Sequence, residues 1–174
     1  MDICLPVFQN SLGLNKFLKM NTAVILLGSN TGDLLQNLKR ALSLITENIG
    51  CITRSSGIYE TEPWGRTDQP VFNNQVIEVS TAFDAFTLLN KLLEAEKEMG
   101  RKRTEKWAPR LIDLDILYFN DIVINEPGLK IPHPHLHERR FTMEPLSEIL
   151  PEMIHPILHK KNKDLLAEIS DNLR

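Results

Sequence analysis

A mixed α+β fold built on an antiparallel sheet is what this chain predicts, on three observations. Short, dense or partly alternating apolar runs succeed longer stretches whose apolar residues recur three to four apart, the patterns of strands and amphipathic helices. The runs succeed one another as strand, helix, strand, strand, helix, strand. The helical runs are punctuated as helices should be, with Asp84 opening one and Gly50 and Gly100 closing two.

Taken in order, Thr22 to Leu27 is a dense apolar run that ends in Gly28-Ser29-Asn30, a buried strand closed by a turn. From Asp33 to Ile49, Leu34, Leu35, Leu38, Leu42, Ile45 and Ile49 mark the apolar face of a helix. Cys51 to Tyr59 reads as one strand, and Phe72 to Thr81 as its partner, joined by a proline-bearing loop over 61–70. Phe86, Leu89, Leu92, Leu93 and Met99 line the next helix, and Leu111 to Phe119 is the fourth strand, reached through a basic loop over 101–110. This order is the ferredoxin-like βαββαβ pattern, an antiparallel sheet with both helices on one face. Beyond it, Ile122–Ile124 and Leu129–Ile131 predict an added hairpin. Glu138–Ile149, broken or delayed by Pro145, and Asn162–Ile169 predict C-terminal helices.

The totals fit one domain. The chain has 174 residues, 42% apolar and 25% charged, enough for a substantial core. We read 20–174 as that domain and 1–19 as an N-terminal extension, either loosely ordered or preceding a start at Met20. The formal net charge of −3 argues against a general nucleic-acid binder. Cys4 and Cys51 have no metal-type spacing, and no apolar run approaches membrane-spanning length. A cytoplasmic monomer acting on small molecules, with no nucleic-acid or membrane partner, is the expectation.

Against that acidic background Arg101–Asp115 stands out, with five basic side chains and a tryptophan upstream of Asp113 and Asp115. On a strand, residues two apart share a face, so the two carboxylates point the same way. Side by side they repel and call for a cation. All-oxygen ligands suit Mg²⁺, which takes its remaining ligands from water and substrate phosphates. Arg101, Arg103, Lys106 and Arg110 suit the same phosphates, and Trp107 is either a core anchor or a plug that closes over a ligand. Pro63, Trp64, Phe72, Asn74 and Phe141 combine aromatic surface with one amide, as a flat heteroaromatic ligand requires. Taken alone, Phe72 and Phe141 fit core packing as well. His133, His135 and His137 alternate as zinc ligands can, but Pro132 and Pro134 constrain the backbone and no fourth ligand is evident. His155 and His159 read as surface. Gly28-Ser29-Asn30 lacks the lysine of a P-loop and reads as a plain turn.

Several segments together resemble one family. They are Leu27–Asn30, Tyr59-Glu60-Thr61-Glu62-Pro63-Trp64-Gly65, Asp68–Asn74, Gly100-Arg101, Trp107–Arg110 running into Asp113-Leu114-Asp115, Ile131–His133, and Glu138–Phe141. In this order and spacing, from about Thr22 to Leu150, they resemble the 6-hydroxymethyl-7,8-dihydropterin pyrophosphokinases of folate biosynthesis. The resemblance implies transfer of the diphosphate of ATP to the pterin hydroxymethyl group, with release of AMP. It implies that Asp113 and Asp115 hold two Mg²⁺ ions and that Arg101 and Arg110 act with them in catalysis. Glu96, Arg103, Lys106, Trp107, His133 and Arg139 would serve ATP. Thr61, Glu62, Trp64, Phe72, Asn74 and Phe141 would hold the pterin. Four positions depart from the family pattern. Pro134 and Phe72 stand where tyrosines are common, Lys106 where arginine is, and Trp64 where a smaller apolar residue is.

Two rival readings differ in class. A ferredoxin-like RNA-binding module would show aromatics on the sheet within a basic Gly-Phe signature, and none is found. A two-metal nucleotidyltransferase would release pyrophosphate instead of AMP.

Overall fold

A computed structural model describes residues 19–63, 69–101 and 110–170. The expectations placed on the extension, on Trp64 and on Arg103, Lys106 and Trp107 lie outside the described residues.

The main sheet holds β1 (Asn21–Ser29), β2 (Cys51–Ser55), β3 (Tyr59–Thr61), β4 (Phe72–Thr81) and β5 (Asp113–Phe119). Its order is β2-β4-β1-β5, with β3 also paired to β4 and every pairing antiparallel. That is the expected topology with one change. The strand predicted over 51–59 is two strands, because Ser56 leaves the ladder: its Oγ accepts from Val76 N at 3.0 Å while its backbone N donates to Val76 O at 2.9 Å.

Helices α1 (Leu34–Asn48) and α2 (Ala85–Glu98) lie on one face, where Leu38, Ile45, Leu88 and Leu92 pack on Ala23, Ile25, Leu27, Ile77 and Val79. Asp33 caps α1 by accepting from Gln36 N at 3.0 Å, and Asp84 caps α2 by accepting from Phe86 and Thr87 N at 2.9 Å. Gly100 ends α2 in the left-handed region at φ +92°. Gly100 N donates to Lys97 O and Arg101 N to Glu96 O, each at 3.0 Å, which is the Schellman pattern. Gly50 is a glycine for another reason: a β-carbon there would lie 2.2 Å from the Ser80 carbonyl oxygen.

The opposite face carries a second core. Val24, Leu26, Val76, Leu117 and Tyr118 meet Met143 and Leu146 of α3 (Arg140–Ile149) and Leu165 of α4 (Asn162–Glu168). A bulge at the β1–β5 pairing shifts register between Val24 and Ile25, so Leu117 and Tyr118 both enter this core. The small hairpin is β6 (Ile124–Glu126) with β7 (Leu129–Ile131), slightly later than expected. Pro145 sits inside α3 without breaking it.

Two expectations are corrected here. Gly28 and Ser29 are not a turn; they complete β1, paired with Asn74 and Asn73. His155 is not surface but 3% exposed, its ring 5.7 Å from Tyr118 and 5.9 Å from His137. Flanking prolines and polar residues conceal a position that packs against Tyr118 of β5 and His137.

Candidate active site

The second face of the sheet is only partly covered, and a cleft opens beyond the end of that core. Its floor comes from three adjacent strands. Gly28 of β1 is paired with Asn74 of β4 on one side and Asp113 of β5 on the other, and Leu26 is paired with Asp115. Strand alternation sends Leu114 and Ile116 into the α1–α2 core and leaves Asp113 and Asp115 in the cleft. The cleft, about 660 Å³ including its open mouth, is completed by Thr61, Glu62, Pro63, Gln69, Phe72, Arg110, Arg139 and Phe141.

One end is charged. Arg101 donates to Asp113 Oδ1 at 2.6 Å and also bonds the buried Glu96, while Arg110 bonds the other Asp113 oxygen. The Schellman turn presents Arg101 to this pair, because it stands directly beyond the glycine that closes α2. Burial works against the Arg101 charge, but Asp113 and Glu96 more than reverse it and hold the proton more tightly than usual. Glu96 does not line the cleft. It sits beneath Arg101, accepts from Leu114 N at 2.8 Å, and is pushed up chiefly by burial. Asp115 is pushed up to about 7, first by burial and then by Asp113 and Glu96, with Arg139 and Arg101 pulling the other way.

The other end is neutral. Asn74 Nδ2 donates to Thr61 Oγ1 at 2.8 Å, so a buried amide and hydroxyl share one wall. Phe72 and Phe141 line the same space, with the Arg139 guanidinium carbon 5.7 Å from the Phe141 ring centroid. Glu62 lies exposed at the rim.

The residues fit a divalent cation. Asp113 and Asp115 offer only oxygens, on one face of one strand, and burial together with the neighbouring Asp113 leaves Asp115 with raised proton affinity. Among the described residues no group of three such ligands gathers, so water and substrate oxygens would supply the rest of a Mg²⁺ shell.

Comparison with known proteins settles the family. Residues 24–151 match the model of 7,8-dihydro-6-hydroxymethylpterin-pyrophosphokinase (HPPK). This chain belongs to that family. The 2-amino-4-hydroxy-6-hydroxymethyldihydropteridine pyrophosphokinase of Aquifex aeolicus (strain VF5) is 42% identical over 149 residues, 86% of this chain and 92% of the relative. The Bacillus subtilis (strain 168) protein of the same name is 43% identical over 130 residues, 74% of this chain and 78% of the relative. Among solved structures, wild-type Plasmodium falciparum HPPK-DHPS with STZ-DHP superposes with a TM-score of 0.73 at 20% identity, over 86% of this chain. This chain spans 43% of that longer one, and at such identity the likeness speaks to the fold alone.

Of the residues that the family resemblance singled out, the structure gathers Asp113, Asp115, Arg110, Arg139, Thr61, Glu62, Phe72, Asn74 and Phe141 around one cleft, with Arg101 bonded to its edge. His133 lies outside it, half-buried, its backbone N donating to Leu117 O at 3.0 Å. Burial, then Arg139 and His135, lower its pKa to about 4. His135 instead faces Glu138, Nδ1 to Oε2 at 2.9 Å. Leu26, Gly28 and Gln69 also line the cleft and had no role in the sequence reading. Gly28 and Gln69 both left a trace there, since they fall within the segments that carry the family resemblance, but neither was given a role.

Proposed function

We propose that this cleft is where the diphosphate of ATP passes to 6-hydroxymethyl-7,8-dihydropterin. The reaction is the family's: the hydroxymethyl oxygen forms a bond to the β-phosphorus, the bond between that phosphorus and the α-phosphate bridging oxygen breaks, AMP leaves, and the hydroxyl proton is released. The observation that carries the reading is the pairing of Gly28 with both Asn74 and Asp113. It puts an amide–hydroxyl wall and a carboxylate–guanidinium wall on the two strands that flank β1, on one floor.

Each chain residue has a job that follows from its position. The Asn74 amide and Thr61 hydroxyl hydrogen-bond the pterin edge, and Phe72 and Phe141 hold its ring. Arg110 and Arg139 face the transferring phosphates, and Arg101 is kept charged behind them. Asp113 and Asp115 are the side chains that would hold Mg²⁺, two ions in this reading. When bound, the metal neutralises phosphate charge and lowers the pKa of the attacking hydroxyl. With no basic side chain needed beside the hydroxyl, positioning and charge neutralisation are what the protein supplies.

The RNA-binding alternative needs a sheet face free to stack bases, whereas α3 and α4 pack on much of that face here. We place the enzyme in the cytoplasm as a monomer. Among the described residues no helix is long and apolar enough to cross a membrane.

The deciding assay supplies ATP, Mg²⁺ and the hydroxymethyl dihydropterin and identifies the nucleotide product by chromatography. AMP formed only with the pterin present is the expected result. Pyrophosphate release, or no pterin-dependent product from folded protein, overturns the reading.

A further inference from the structure

Asn30 follows directly on β1 and is 1% exposed. Its polar groups are engaged by two segments that both reach the cleft. Oδ1 accepts from Arg110 N at 2.7 Å, and the Asn30 backbone N donates to Arg110 O at 3.2 Å. Arg110 is thereby held at both its amide and its carbonyl. A peptide N–H can only donate, so this contact also sets which way the Asn30 amide points. Its Nδ2 then faces Gln69 Oε1 at 3.1 Å. Gln69 lines the cleft from the segment that joins β3, which carries Thr61, to β4, which carries Asn74, and Arg110 lines it bonded to Asp113.

Within the turn after β1 this side chain takes only a long bond, Thr31 Oγ1 donating to Asn30 Oδ1 at 3.4 Å. Asn37 holds the turn from α1, its Nδ2 donating to Ser29 Oγ at 3.0 Å and Thr31 O at 2.8 Å. The Asn30 amide is therefore available for a different task, and it requires a donor and an acceptor on one short planar group. Aspartate lacks the donor, and serine lacks the second polar atom.

We propose that Asn30 is a positioning residue that couples the pterin side of the cleft to its phosphate side. It sets Arg110 against Asp113 and ties that arrangement to Gln69. A ligand that orders Gln69 then orders Arg110 through one side chain, and a ligand that orders Arg110 orders Gln69. Such coupling is reciprocal by thermodynamic necessity, and a linkage of this kind amounts to about fivefold or more in affinity.

This inference rests on the proposed function, and the experiment separates the two. The hydroxymethyl dihydropterin is titrated calorimetrically into the full-length protein, with and without saturating Mg²⁺ and a non-hydrolysable ATP analogue. In the wild type the analogue tightens pterin binding by about fivefold or more. In Asn30→Ala and in Gln69→Ala that ratio falls towards one, and the double variant falls no further. In Asn37→Ala, which loosens the turn without touching either contact, the ratio is retained. A wild-type ratio of one overturns the coupling, as does a ratio retained in Asn30→Ala or lost equally in Asn37→Ala. Should Asn30→Ala not fold, a ratio retained in Gln69→Ala overturns it just as well. A wild type that binds no pterin at all overturns the functional reading itself.

Discussion

Gly28 and Asn74 face each other across the β1–β4 ladder so closely that a β-carbon on residue 28 would lie 3.1 Å from Asn74 Oδ1. The glycine is thus part of how the Asn74–Thr61 wall, proposed to hold the pterin, is shaped. Gly28→Ala displaces the Asn74 amide by a few tenths of an ångström and misaligns it with Thr61. The strand itself tolerates alanine, so the fold persists. We expect pterin binding to weaken about tenfold, the equivalent of ~1.4 kcal/mol, with nucleotide affinity changed less than about twofold. Paired titrations of the two ligands check this; equal losses for both would contradict it.

Asp115 is a carboxylate kept where a carboxylate is uncomfortable, buried and beside Asp113 and Glu96. Such a group costs stability, which fits the metal-binding role proposed for it. Asp115→Ala should lose turnover by on the order of 10²–10³-fold or more, the cost of removing a main electrostatic element of an active site. Its melting temperature without metal should stay at or above that of the wild type. Activity within tenfold of the wild type would rule out the metal-binding role.

Glu96 works through Arg101, and its two functions can be pulled apart. Glu96→Gln keeps an acceptor for Leu114 N and removes the charge that helps hold Arg101. Stability should change by less than about 1 kcal/mol, while the Michaelis constant for ATP rises. Glu96→Ala also strands a buried amide and a half-buried guanidinium, and should cost about 2–4 kcal/mol. Chemical denaturation of both variants beside steady-state kinetics distinguishes them. Equal destabilisation would show that Glu96 acts only as packing.

Acid should loosen the segment around His155. Its Nδ1 accepts from Ile157 N and Leu158 N, both at 3.2 Å, so that nitrogen must be unprotonated in the fold. Burial, with His137 and His159 nearby, lowers the pKa from 6.5 to about 4. The unfolded chain therefore binds a proton that the folded chain refuses. The stability contribution is complete above about pH 6.5 and is lost as pH falls towards 4. It amounts to at most roughly 3.5 kcal/mol, at about 1.4 kcal/mol per pH unit. Urea titrations across this window should show the decline, and His155→Gln should flatten it. An unchanged slope in the variant would assign the acid sensitivity elsewhere.

How much of this was readable in advance depended on the range of the interaction concerned. Periodicity and caps are local, so the helices from Asp33 and Asp84 and the strand carrying Asp113 and Asp115 could be placed from the sequence, as could the order that implies this topology. Alternation on that strand put both carboxylates on one face, which the structure bears out. The interruption at Ser56 and the extension of β1 through Ser29 were not readable, because each depends on hydrogen bonds to β4.

By itself, then, the sequence determined the antiparallel α+β architecture, the pair of carboxylates on one strand face and the family to which the chain belongs, since these are written in short spacings and contiguous motifs. Tertiary structure alone decided that Glu96 sits beneath Arg101 and outside the cleft, that Gly28 is floor, that His155 is buried, and that Asn30 joins Gln69 to Arg110. The reason is physical. Burial and hydrogen-bond partnership are properties of residue pairs tens of positions apart, and they exist only once the sheet has brought those positions together.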